Sequence, residues 1–230
     1  MSENIENDLR NSKSDYLHTL TKSALSSIPL AGSAVSEIFN MIIAPPIEQR
    51  RDNWIKQIYN SLIELKNKVD SFDISKLKDN PVFISVFMQA TQIAIKNHQS
   101  EKLAALQNAI VNSAKNIGID ETKQLIFLKL IDDLSVWHLK VLYYLQNPNK
   151  RFQERGISKP NLIMGSASVP LKTYYPELAN EDAFLNLIIK DLYSAGLIGS
   201  QDLNGMMTES GLYANRTTKF GDEFLAYISE

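Results

Sequence analysis

Between residues 14 and 134 apolar side chains recur three and four positions apart, and no stretch alternates at a period of two. Such a chain can bury its apolar side chains as helices and has no credible strand to offer. The clearest seam is Ile55, Ile58, Leu62, Leu65 and Val69, stepping 3-4-3-4. Two to three heptads are too few for a free coiled coil, so the spacing predicts one helix of a bundle over 47–69, with Pro46 in its first turn. Asn80-Pro81 restarts helix, and Val82, Phe83, Val86, Phe87, Ala90, Ile93 and Ala94 give it a wide apolar face. Residues 97–100 interrupt the pattern, and Leu103, Leu106, Ile110 and Ala114 resume it. Gly118 is placed to end that helix and Asp120 to cap the next, over 121–134. Upstream, Leu17, Leu20, Ala24 and Ile28 share a face that starts at Ser14. The expectation is a polar, loose tail over 1–13 and an antiparallel helical bundle over 14–133.

After Asp133 the chain changes character. Ser135 is a good N-cap, and Leu134, Trp137, Val141 and Leu145 form one apolar stripe that Asn147-Pro148 closes. Residues 149–170 read as loop, carrying Gly156, Pro160, Gly165 and Pro170, with a short helix over 171–178. Asn180 is the expected cap of a helix whose buried side is Phe184, Leu185, Ile188, Ile189 and Leu192, and Gly196 ends it. A strand at 197–198, an excursion over 199–211 and a returning strand at 212–217 follow. Thr218 starts a last helix with Phe220, Phe224, Leu225 and Ile228. Three helices, strand, wing, strand and closing helix is the winged-helix order. The fold expected is therefore mainly α: an N-terminal bundle and a winged-helix-like α+β domain over 134–230. Trp137 and His138 stand at the joint, Trp137 as a large buried aromatic and His138 as a satisfied core histidine.

Residues 24–44 are the least polar window, long enough at ~1.5 Å per residue to cross a bilayer of ~30 Å. Ile28, Gly32, Ile38, Phe39, Ile42 and Ile43 supply the apolar surface, but Glu37 and Asn40 interrupt it. An acidic residue near the middle of a span costs about 3 kcal/mol on insertion scales. A buried helix in close contact through Ala31, Gly32, Ala34 and Ser36 is the expectation, with conditional membrane insertion or a partner contact as alternatives.

Chemistry is sparse. The chain has no cysteine and three histidines, His18, His98 and His138. Thiolate metal sites, disulfides and a cysteine nucleophile are thereby excluded. His98-x-x-Glu101 could put two ligands on one helix face, yet the second copy and bridging glutamates of a di-iron bundle are lacking. No phosphate-loop, dinucleotide or nucleophile-elbow motif occurs. Asp132 and Asp133 point different ways on a helix. Neither catalysis nor a cofactor nor a metal is expected. The formal net charge is −2. From Leu134 onward nine Lys/Arg face ten Asp/Glu, and Lys190 alone opposes Glu181, Asp182 and Asp191 on the would-be recognition helix. Nucleic acid is disfavoured as a partner on that balance. The Arg50-Arg51 pair sits among Glu48 and Asp52 as a solvated, mixed-charge turn. The first fifteen residues are polar and acidic, unlike a secretory signal, so the cytoplasm is the expected location, with conditional membrane association.

Three stretches carry a resemblance: the glycine- and serine-bearing early helix, His138-Leu-Lys-Val-Leu142, and Thr218-Lys-Phe-Gly-Asp-Glu-Phe224. Their layout resembles that of bacterial Abi-alpha abortive-infection proteins. Residues 44–54, Ala-Pro-Pro-x-Glu-x-Arg-Arg-x-x-Trp, are similar to a stretch in uncharacterised bacterial chromosomal proteins. The resemblance implies a bacterial, non-enzymatic protein related to phage defence and brings no catalytic residues with it. The leading reading is an interaction or stress-response protein whose partner is another protein or a second copy of itself. A membrane-acting effector using 24–44 and a winged-helix transcription regulator are the alternatives.

Overall fold

A computed structural model describes residues 44–229. The expected tail over 1–13 and the helices expected up to residue 43 lie outside those residues. Among the described residues the protein is mainly helical, with a small two-stranded sheet.

Helix α1 runs Ala44–Lys68. Pro45 and Pro46 fall in its first turn, where a missing backbone N–H is no loss. Trp54, Ile58 and Leu65 are its buried residues, so the seam is shifted to include the tryptophan, and Val69 is exposed past the helix end. The Trp54 indole N–H donates to Thr91 Oγ1 at 3.1 Å, which satisfies a polar group that burial would otherwise strand. The polar connection expected after α1 holds a 3-10 helix, Ile74–Asp79, started by Asp73 Oδ1 accepting the Ser75 N–H at 3.0 Å. Its Leu77 reaches the core.

Helices α2 (Pro81–Lys96), α3 (Ser100–Lys115) and α4 (Glu121–Asp133) pack on one another. Local chemistry sets their ends. Asn80 accepts the Phe83 N–H at 3.1 Å and Asp120 the Lys123 N–H at 3.3 Å, each satisfying an orphan donor of a first turn. The left-handed residue that ends α3 is Asn116 (φ 52°), two positions before the glycine expected there. Lys102 is buried and donates to the Asp132 carbonyl at 2.8 Å, so an ammonium sits at the C-terminal end of α4 where the helix dipole favours it. Burial lowers its pKa all the same.

The second half starts with α5, Val136–Gln146, and then α6, Pro148–Arg155. Loop was expected over 149–170, and α6 corrects that. Asn147-Pro148 closes one helix and opens another, because Asn147 Oδ1 accepts the Lys150 N–H at 3.1 Å and Pro148 takes the first helical position. Gly156 (φ 66°) ends α6 in the left-handed conformation. Strand β1, Met164–Gly165, precedes α7, Ser168–Tyr174, and a 3-10 turn Pro176–Leu178. Helix α8 is Asp182–Ser194, and its N-cap is Glu181, with no side-chain hydrogen bond, rather than Asn180. Strand β2, Met207–Thr208, leads into the single turn α9, Glu209–Leu212, and α10, Lys219–Ile228, closes the chain. β1 and β2 pair antiparallel, Met164 opposite Thr208 and Gly165 opposite Met207. The strands expected at 197–198 and 212–217 contract to one bridge, Ile198 opposite Thr217.

What fixes this half in place is α10. Phe127 of α4 meets Phe220, Phe224 and Tyr227 at ring-centroid distances of 5.1, 5.4 and 5.5 Å. Asn112 of α3 donates to the Tyr227 and Ser229 carbonyls, each at 2.9 Å, and so serves the orphan acceptors of the last turn. Lys123 and Glu223 add an ion pair at 2.6 Å. One core of buried residues runs from Trp54 to Tyr227, and Arg50–Glu230 forms one compact unit. The boundary expected between 133 and 134 falls inside that unit.

Candidate functional site

Helix α8 buries Leu185, Ile188, Ile189 and Leu192, which share one face at spacings of three and four. That stripe leaves Leu187 on the other side, 53% exposed, beside Asn186 and Lys190. Tyr193 is 45% exposed one turn further on.

Residues 199–206 fold over this outer side. Leu203 anchors the segment in the core, and its carbonyl accepts the Ser168 N–H at 3.3 Å. An Asx turn shapes the tip, Asp202 Oδ1 accepting the Asn204 N–H at 2.9 Å. A polar chain then ties the segment to α7 and α8. Ser168 Oγ donates to Asn204 Oδ1 at 3.0 Å, and Asn204 Nδ2 donates to Asn186 Oδ1 at 3.4 Å. Between helix and segment lies an open cleft of about 440 Å³ lined by Asn186, Lys190, Gln201, Asp202 and Asn204. Met206, at 74%, is among the most exposed large apolar residues described, with Met164 at 58% and Ile163 at 87% where β1 begins. Leu187 and Met206 are not among the lining residues, but they are exposed on the same two elements, Leu187 on α8 and Met206 on the 199–206 segment.

Of the expected joint residues, His138 reaches α8 through Asp191. His138 is buried. Its Nδ1 accepts the Ser135 N–H at 3.2 Å, with Ser135 Oγ 2.7 Å from the same nitrogen, and its Nε2 faces Asp191 Oδ2 at 3.2 Å. An accepting Nδ1 leaves the proton on Nε2, directed at the carboxylate. The constellation looks like a serine, a base and an orienting acid, but its geometry is a capping box at the start of α5 tied to α8. Both ring nitrogens of His138 thus have partners. Trp137 is half-buried rather than buried. It packs edge-on against Tyr175 at 5.6 Å, and Lys140 lies over its ring at 5.3 Å.

The other candidates fare as follows. Ile28, Gly32, Glu37, Ile38, Phe39, Ile42 and Ile43 of the 24–44 segment lie outside the described residues. Among those described, no helix is long and apolar enough to cross a membrane. His98 is exposed, and Glu101 turns to Lys140 at 3.0 Å. The Glu101 backbone N–H, and then Lys140, hold that carboxyl below the usual range. Among the described residues no group of three or more His, Asp or Glu could hold a metal ion. Arg51 pairs with Asp52 at 3.1 Å.

Sequence reasoning did not find Leu187, Met206, Met164 or Ile163. For Leu187 a signal existed, since it breaks the buried stripe of α8. For Met206 none did: a methionine in a glycine-bearing excursion reads equally as core or surface. Neither a family model, a curated protein nor a solved structure matches this chain.

Proposed function

We propose that this is a non-enzymatic bacterial interaction protein of the cytoplasm that acts through protein–protein contacts on the outer side of α8 and the 199–206 segment. The observation that carries the reading is the pair of exposed apolar side chains, Leu187 on α8 and Met206 on the 199–206 segment, the two elements that form the polar cleft. Exposed apolar side chains around a few polar groups mark contact surfaces. The same surface is a poor match to nucleic acid, because Lys190 alone is basic among the cleft residues. The order α5, α6, β1, α7, α8, β2, α9, α10, with the Ile198–Thr217 bridge after α8, supports a winged-helix-like reading of this half, used here as an interaction module rather than a DNA reader. The resemblance of residues 138–142 and 218–224 to Abi-alpha proteins supports a role in abortive infection.

The test is a phage challenge of cells expressing wild type or the double variant Leu187→Asp/Met206→Asp. Both substituted residues are exposed, so expression and melting temperature should be unchanged. Wild type is expected to reduce plaque number and the variant to lose that protection. Equal protection by both would remove this surface from the function, and no protection by either would remove phage defence.

A further inference from the structure

The cleft carries two charges of opposite sign, and neither is neutralised. Lys190 stands on the α8 wall and Asp202 on the opposite segment, and among the described residues neither has an ion-pair partner. Their neighbours do. Asp182 is held by Lys172 and Asp191 by His138, so the acids of α8 on either side of Lys190 are already engaged. One Asp202 oxygen takes the Asn204 N–H, which fixes the carboxylate without countering its charge. The remaining lining, Asn186, Gln201 and Asn204, offers both donors and acceptors. The surface is therefore its own electrostatic complement: one cation on the α8 wall, one anion on the segment, and amides lining the same cleft.

From this charge arrangement we propose that the occupant of the surface is a second copy of the same chain, docked about a two-fold axis through the cleft. A two-fold contact is isologous: where residue i of one copy meets residue j of the other, j meets i. Such an axis sets Lys190 of each copy against Asp202 of the other, making two ion pairs from groups that have none in the single chain. The exposed Leu187 and Met206 lie on the same two elements, and the amide-lined cleft keeps its water, as polar interfaces do. A partner of one sign would leave either Lys190 or Asp202 opposed by a like charge, which weakens its binding. The inference rests on the reading of this surface as the protein-contact surface.

Sedimentation velocity of the full purified chain tests it, over concentrations on the order of 1–100 µM. Wild type is expected to self-associate, and Lys190→Glu or Asp202→Lys alone to weaken association about tenfold by turning both pairs repulsive. The two single variants mixed in equal amounts are expected to recover wild-type association. In the mixed dimer the substituted 190 meets the substituted 202, and the two native residues meet each other. Recovery on mixing cannot come from a misfolded variant. Wild type remaining monomeric throughout, single variants associating like wild type, or a mixture no tighter than its components would each overturn the inference. If the chain is monomeric while a photo-crosslinker at 206 captures a different protein in cells, only the second copy falls and the contact surface stands. Capture of nothing removes both.

Discussion

Gly221 sits where the first turn of α10 crosses the chain leaving α8, and a Cβ there would collide with the Leu197 carbonyl oxygen. The Thr218 N–H donates to that same carbonyl at 3.0 Å, so the crossing is fixed by a hydrogen bond and cannot easily open. Gly221→Ala is expected to cost roughly 1–3 kcal/mol in urea unfolding, as overpacking against rigid neighbours does. An unchanged midpoint would mean the crossing is loose. Tyr144 presents the reverse case. It is 1% exposed, its hydroxyl has no hydrogen-bond partner among the described residues, and burial pushes its pKa well above that of an ordinary tyrosine. A buried hydroxyl without a partner costs more than its removal. Tyr144→Phe should raise stability by about 1 kcal/mol. A loss of that size would show that the hydroxyl takes a hydrogen bond in solution.

At the scale of elements, helices were legible and strands were not, for a physical reason. Caps and three-four spacing are local: Asn80, Asp120, Ser135 and Thr218 stand at helix starts as their side-chain chemistry dictates. Asn147-Pro148 was legible only as a stop, since the features that end α5 also start α6. Strands of two residues carry no periodicity, so the pairing of β1 with β2 could not be read before the fold was known. The two tryptophans show the same divide. Trp54 is 3% exposed with its indole N–H bonded, whereas Trp137 is only half-buried, although both stand on apolar helical stripes. Trp54→Ala should therefore cost about 3–5 kcal/mol and Trp137→Ala distinctly less. Chemical denaturation of the two variants measures this, and the opposite ranking would misplace α1 or α5.

For the molecule as a whole, the long-range partners of α10 decide how the chain holds together. Phe127, Asn112 and Lys123 lie about a hundred residues before the side chains and carbonyls they meet, a separation no sequence pattern reveals. The candidate surface was hidden for the same reason, because Asn204 reaches Asn186 and Ser168 only after the 199–206 segment folds back. One shared core means that residues 134–230 expressed alone should lose the packing under Phe220, Phe224 and Tyr227. That fragment is expected to give weak, poorly dispersed backbone amide spectra, and a well-dispersed spectrum would show that the second half folds by itself.

The contact reading of the α8 side is met most directly by placing a photo-crosslinking amino acid at Met206 in cells, with Tyr59, 50% exposed on α1, as the control position. The expected result is a discrete protein adduct from position 206, lost when Leu187→Asp is added, and none from position 59. Adducts of equal yield from both positions, or none from 206, would contradict it.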